Sequence, residues 1–261
     1  MRIKLNSYYD HFPNHKPVDN EPYIEMYNDE FVWQSKKDSC VLLIEPRSII
    51  SNVYTYVEEN WRKFKYIFTH DSLLLNHCPN AKLILWGWGN ANYMSFSDRP
   101  KTKNISIVSS DKELCELHKA RKKLALLYDG WGIVDCYGTY NGGKYAEIED
   151  YMADYRYSII LENYVDDYWF TEKILNCFAN KVVPIYLGAK KIGDYFNSES
   201  ILAFDNVNGI KDCVRVMLGD YGEYWYKSRI SAIEDNYNRV KQFPAFEEWF
   251  YKEYGELLNE C

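Results

Sequence analysis

The stretch Tyr157–Gly188, YSIILENYVDDYWFTEKILNCFANKVVPIYLG, narrows the possible folds more than any other part of the chain. Tyr157–Leu161 is a short β-branched apolar run, the pattern of a buried strand. A polar and aromatic loop follows from Glu162 to Phe170. Thr171 offers an N-cap, and Ile174, Leu175 and Phe178 supply a helix face that Asn180-Lys181 ends. Val182–Leu187 reads as a second buried strand, although Pro184 weakens the case for a central position. This is a β-loop-α-β unit of the length that a right-handed parallel crossover needs.

In such a unit ligands sit beyond the carboxyl end of the strand, against the N-terminus of the next helix. Glu162, Asn163, Trp169, Thr171, Glu172 and Lys173 occupy those positions. Free helix N–H groups, the helix dipole and the Lys173 ammonium together suit a phosphate, and Glu172 can take ribose hydroxyls. A capped surface helix whose Glu and Lys face water fits the same spacing equally well.

A chain of 261 residues with 47% apolar content can bury a sizeable core, as one large domain or two small ones. The net charge of −7 argues against non-specific attraction to nucleic acid or anionic membrane. The 25 Tyr and 8 Trp supply packing and could stack on sugar or base faces. Seven cysteines lie singly, with no C-x-x-C pair, and the five histidines are dispersed. That pattern favours free thiols in a reducing compartment and disfavours a zinc site. The first residues, MRIKLNSYYDHFPN, carry no apolar signal core, and no run approaches a membrane span. A cytoplasmic protein is the expectation.

Along the chain, Arg2–Leu5 and Cys40–Ile44 read as strands around a loop-rich stretch from Asn6 to Lys37. Helix Ser51–Phe64, strand Tyr66–Thr69, helix Asp71–His77 and strand Lys82–Trp86 follow. Gly87-Trp88-Gly89 lacks the third glycine of a dinucleotide fingerprint and reads as a strand-end turn. After a linker at Asp98–Asn104 come strand Ile105–Val108, a helix over Asp111–Tyr128, strand Ile133–Tyr137, helix Tyr145–Tyr155 and the central unit. The remainder reads as a short helix Ile192–Phe196, strand Ile201–Phe204 and helices Gly209–Leu218, Gly222–Gln242 and Pro244–Asn259. The expected domains are 1–103 and 104–243, with a terminal helix over 244–261 able to cross back onto the first.

Glu162-Asn163, then Thr171-Glu172-Lys173, then Val183-Pro184-Ile185-Tyr186-Leu187-Gly188 resembles the α1,3/1,4-fucosyltransferase signature. Val134-Asp135-Cys136-Tyr137-Gly138 resembles that family's Val-Asp-x-Tyr/Phe-Gly strand end. The resemblance covers roughly residues 104–206 and is faint in the N-terminal third. It implies an α/β, GT-B-like fold of two small Rossmann-like parallel-sheet domains facing a cleft. It also implies a metal-independent, inverting glycosyltransferase without a cofactor, whose partners are a nucleotide sugar, GDP-fucose above all, and a glycan acceptor. Family members in animals carry a Golgi anchor, which this sequence does not show.

Residue by residue, the resemblance assigns Lys173, and Arg121 within the basic segment His118–Lys123, to the donor phosphates. Lys122 or Lys123 could stand in for Arg121, because Ser109-Ser110 replaces the family's Ser-Asn and the spacing is longer. Glu172 matches a ribose-binding glutamate, and Asn163 an asparagine near the phosphates. Trp169 stands where the family usually has Tyr. Asp166-Asp167 reads as two solvated loop acids. A proton acceptor is expected from the first domain, with Glu45 at the end of strand Cys40–Ile44 as first candidate and His70 and Asp71 in reserve. Another sugar nucleotide or acceptor on the same fold, modified nucleic acid in a viral setting included, is the first alternative. A non-catalytic glycan-binding protein is the second.

Overall fold

The computed structural model describes residues 1–19, 21–87 and 94–259, so Trp88 and Gly89 of the expected strand-end turn lie outside the described residues. Two units divide the chain. The first takes Met1–Asn92, Asp166–Trp169 and Pro244–Cys261, and the second takes Tyr93–Val165 and Phe170–Phe243. The division falls before residue 103 because the segment ahead of it bonds to the second unit. Ser97 N–H donates to Ala179 O, and the N–H groups of Thr102 and Lys103 both donate to Asp154 O.

Five strands form the first unit's sheet: β1 (Arg2–Asn6), β2 (Tyr23–Asn28), β3 (Cys40–Leu43), β4 (Ile67–Thr69) and β5 (Ala81–Leu83). They lie in chain order, each parallel to the next. All their carboxyl ends therefore meet along one edge. β2 falls inside the stretch expected as loop. Its signal is an alternation, with Ile24 and Met26 turned into one core and Tyr27 into the opposite one, while Glu25 answers Lys4 and Lys36.

One sheet face packs on α1 (Ser51–Glu59) through Val53, Tyr54 and Val57. The other takes the terminal helix Phe246–Asn259, whose Phe246, Phe250 and Leu258 join Ile3, Ile24, Met26 and Phe68. Phe250 is fully buried there, which contributes about 1.5–3 kcal/mol. A short helix α2 (Ser72–His77) follows β4, capped by Asp71, whose carboxylate accepts from Leu74 N–H.

The second sheet has the order β10-β9-β8-β6-β7 and is again parallel throughout. Its strands are β6 (Lys103–Val108), β7 (Asp135–Tyr137), β8 (Tyr155–Leu161), β9 (Val183–Leu187) and β10 (Leu202–Ala203). Pro184 sits in β9 between two neighbours. Its missing N–H is tolerated because two-residue β10 pairs only with Ile185 and Tyr186. The helices are α3 (Glu116–Trp131), α4 (Ile148–Met152), α5 (Glu172–Ala179), α6 (Val207–Met217), α7 (Asp220–Ser228) and α8 (Ile230–Lys241). The single helix expected over Gly222–Gln242 breaks at Arg229, where φ is −110° and ψ 12°. Ile105, Ile107, Tyr157, Ile159, Leu161, Val183 and Ile185 form the sheet's share of one apolar core with α3 and α6. Among the described residues no helix is long and apolar enough to cross a membrane.

Candidate active site

The second unit's site begins with a carboxylate. Glu162 directly follows β8, continues the ladder through its own N–H to Leu187 O, and is fully buried. A buried carboxylate must be hydrogen-bonded and paired. Glu162 Oε1 accepts from Thr171 N–H at 3.0 Å, and Oε2 from Thr171 Oγ1 at 2.8 Å and Lys173 Nζ at 3.2 Å. Lys173 Nζ also donates to Thr171 Oγ1 at 2.8 Å. The start of α5 is thereby tied to the end of β8. Thr171 is its N-cap and accepts from Lys173 N–H.

Two motif glycines allow close approaches, one of them against Glu162. A Cβ on Gly188 would lie 2.6 Å from Glu162 Cγ and 2.3 Å from Tyr186 OH. Gly138 has φ +99°, and a Cβ there would lie 2.3 Å from Ser109 O, at the end of β6.

Lys173, the partner of Glu162, lines a cavity of about 180 Å³ together with the β6 end (Val108, Ser109, Ser110), Arg121, Tyr151, Glu172 and Asn176 among others. Sites for drug-sized ligands run to roughly 300–1,000 Å³, so this space is that of a small group. Arg121 reaches it from α3. Its Nη1 donates to Leu161 O at 3.1 Å, while its buried Nε has no partner. Lys122 instead pairs with Glu113 at 2.6 Å, and Lys123 is exposed. The helical period thus turns Arg121 alone of the three inward.

Charge in the cavity is balanced but not quenched. Burial holds the Arg121 guanidinium below its ordinary value. It works in the same direction on Lys173, but Glu162 and Glu172 outweigh it and raise the ammonium. Burial would raise Glu172, yet Lys173 and hydrogen bonds at the helix start hold it below the usual carboxylate range. His118, one turn before Arg121, is pushed down to about 4 by burial and then by Arg121, Lys173 and Lys112. It is neutral at ordinary pH, and its Nδ1 has no partner.

Other candidates fall elsewhere. Asn163 is tied through its backbone carbonyl, which accepts from the Cys115 thiol at 3.2 Å. Trp169 belongs to the first unit, where its ring lies 4.2 Å from that of His70. Asp166 corrects the reading of two solvated acids. It is buried and accepts from Ser72 N–H at 2.9 Å and from the Ser72 hydroxyl, fastening the 166–169 segment to the start of α2.

In the first unit, Glu45 stands just past β3 with an exposed side chain. Its N–H donates to Asp29 Oδ1 at 3.2 Å and its carbonyl accepts from Tyr54 OH at 2.8 Å. The reserve candidates sit deeper. Asp71 is fully buried, caps α2 and holds Arg47 through two 2.9 Å bonds, which occupies both its oxygens. His70 is fully buried beside Tyr54 OH at 3.2 Å, and burial pushes it down to about 4. Glu162 is the central residue that sequence reasoning placed in the loop without giving it a role; its clue was a carboxylate closing an apolar strand. Among the described residues no group of three or more His, Cys, Asp or Glu side chains is placed to hold a metal ion.

Residues 99–254 match the family model described as glycosyltransferase family 10 (fucosyltransferase), C-terminal part. Solved structures share the fold, two of them as follows. One, an α1,3-fucosyltransferase, is 14% identical with a TM-score of 0.56, over 92% of this chain and 82% of that one. Another, an α1,3-fucosyltransferase with GDP, is 14% identical with a TM-score of 0.58, over 94% and 80%. At that identity the likeness is one of fold. A comparison with curated protein sequences gives no match.

Proposed function

The chain belongs to glycosyltransferase family 10, the fucosyltransferases, and from that premise we propose that it transfers fucose from GDP-fucose to a hydroxyl of a glycan acceptor, with inversion. The observation that carries the donor assignment is the second unit's cavity. It joins Lys173, at the N-terminus of α5, to a buried Arg121 whose Nε has no partner. A buried donor without a partner is a destabilising feature that an anionic ligand removes. GDP in a structure of the same fold supports guanine as the base.

In this reading Lys173 and Arg121 meet the charge that builds on the departing diphosphate. Glu172, in the first turn of α5, takes the ribose hydroxyls. Glu45 of the first unit accepts the proton of the acceptor hydroxyl. The acceptor oxygen bonds to the anomeric carbon as that carbon's bond to phosphate oxygen breaks, and the electron pair leaves with GDP. One displacement of this kind inverts the anomeric centre.

A thermal-shift panel of free nucleotides and sugar nucleotides, run in EDTA, tests the proposal. A ligand that binds only the folded state raises Tm by mass action. GDP and GDP-fucose should stabilise the chain, and UDP and UDP-sugars should not. Stabilisation by uridine ligands alone would overturn the donor while leaving the fold untouched.

A further inference from the structure

The Glu45 peptide is held at both ends by side chains from other elements. On its amide side, Asp29 Oδ1 accepts from Ile44 N–H at 2.7 Å and from Glu45 N–H at 3.2 Å. On its carbonyl side, the fully buried Tyr54 donates its hydroxyl to Glu45 O at 2.8 Å. Asp29 follows β2 directly and adopts φ +45°, a left-handed conformation rarely taken by a non-glycine residue. The parallel pairing of β2 with β3 ends at Asn28 opposite Leu42. Where the backbone ladder stops, a side-chain carboxylate extends it by two more N–H groups.

Other contacts brace the clamp. Asn28 Nδ2 donates to Leu42 O at 2.9 Å, and Ser7 Oγ donates to Asn28 Oδ1 at 2.8 Å. The Tyr54 hydroxyl also meets His70 Nε2 at 3.2 Å, and the Arg47 guanidinium lies 4.9 Å from the Tyr54 ring centroid. Backbone strain persists where the surroundings over-determine it and serves a site that must be held still. The peptide fixes the Cα–Cβ vector along which the Glu45 side chain leaves the backbone, and so the positions that its carboxylate can reach.

We propose that Asp29 and Tyr54 are positioning residues that clamp the Glu45 peptide from its two ends and so set the positions that the Glu45 carboxylate can reach. The inference rests on the reading of Glu45 as proton acceptor. Asp29 adds a charge dependence to the clamp, because burial pushes its carboxyl up to about 7 against the pull of the Ile44 and Glu45 amides. The groups that face it are the Glu45 carboxylate from the end of β3, the Asn28 amide from β2 and the Tyr54 hydroxyl from α1, with Asp71 and Arg47 beyond Tyr54. Ionised, Asp29 is the stronger acceptor for the two amides and places a negative charge near Glu45, which favours proton uptake there.

The test is steady-state release of GDP from GDP-fucose with water as acceptor, measured from pH 5 to 9. The parent is compared with Asp29→Ala, Asp29→Asn, Tyr54→Phe and Glu45→Gln. Asp29→Ala and Tyr54→Phe should lower kcat about tenfold to a hundredfold through displaced geometry, with the KM for GDP-fucose unchanged. Asp29→Asn keeps an acceptor oxygen, so it should recover most of the kcat and lose the parent's inflection near pH 7. If Asp29→Ala fails to fold, the Asp29→Asn pH profile decides alone.

An unshifted Asn profile, or Ala and Phe variants within twofold of the parent in kcat, would overturn the clamp provided Glu45→Gln is inactive. A fully active Glu45→Gln would overturn the underlying reading of Glu45 instead.

Discussion

Arg47 and Arg121 are the instructive pair. Both reach the carboxyl end of a buried strand in a parallel sheet, and both are largely buried. Arg47 donates through Nε, Nη1 and Nη2, to Asp71 and Glu58, so its guanidinium fork is occupied by carboxylates. Arg121 has Nη1 on a backbone carbonyl and Nε on nothing, and it faces a cavity. The first arginine has its donors filled; the second keeps one unfilled beside a cavity. Saturation of donors, rather than burial or charge, separates the two, and it is why Arg121 rather than Arg47 is proposed to bind an anion.

The comparison predicts unequal consequences for the same substitution. Arg47→Met leaves the Asp71 carboxylate buried and unpaired, so it should cost about 3–5 kcal/mol, read by urea denaturation. Arg121→Met removes an unsatisfied Nε along with a single bond to Leu161 O, so without ligand it should cost well under what Arg47→Met costs. A comparable loss in both would erase the distinction.

Protonation sharpens the contrast within the first unit. His70 has its folded value lowered from 6.5 to about 4, so its contribution is present above pH 6.5 and lost as pH falls through 4. At 1.36 kcal/mol per unit the loss approaches about 3 kcal/mol. Asp29 has the opposite sign, being raised from 3.8 to about 7. Its contribution is present below pH 3.8 and lost as pH rises through 7. Melting curves should therefore show the Asp29→Asn variant gaining stability over the parent from pH 4 to 7, while His70→Gln blunts the acid-side loss. Parallel pH curves for parent and variants would contradict the assignments.

Much of the second unit was legible because its signals are local. The Thr171 cap and the inward period of α5 follow from residues a few positions apart, and Gly138 and Gly188 mark close approaches that a side chain would block. The first unit was harder to read. β2 hides its period-2 alternation behind Pro17, Pro22 and charged Glu25. Asp166 looks solvated until Ser72, distant in sequence, meets it. Asp29 is unremarkable in sequence because its partners are backbone amides of another strand, and amides leave no trace in residue identity. Glu162 closed a strand in plain view, yet its role depends on Thr171 and Lys173 folding back to it.

Smaller effects refine the anion side. Thr171→Val removes the cap of α5 and the hydroxyl shared by Glu162 and Lys173, and should lower stability by about 1 kcal/mol. Gly188→Ala should do at least as much, because its Cβ presses on Glu162 Cγ and the Tyr186 ring. Both should weaken GDP binding as well, since they disturb the seat of Lys173. Calorimetric affinities unchanged in both variants would show that Lys173 is placed independently of Glu162.

We propose that the second unit's cavity binds the donor diphosphate through Arg121 and Lys173. Isothermal titration of the parent and Arg121→Met with GDP and with guanosine tests it most directly. The parent should prefer GDP strongly over guanosine, and Arg121→Met should lose at least about 1.5 kcal/mol of GDP binding, the worth of a charge-assisted hydrogen bond, while guanosine binding stays the same. Equal GDP affinity in both proteins would contradict the account.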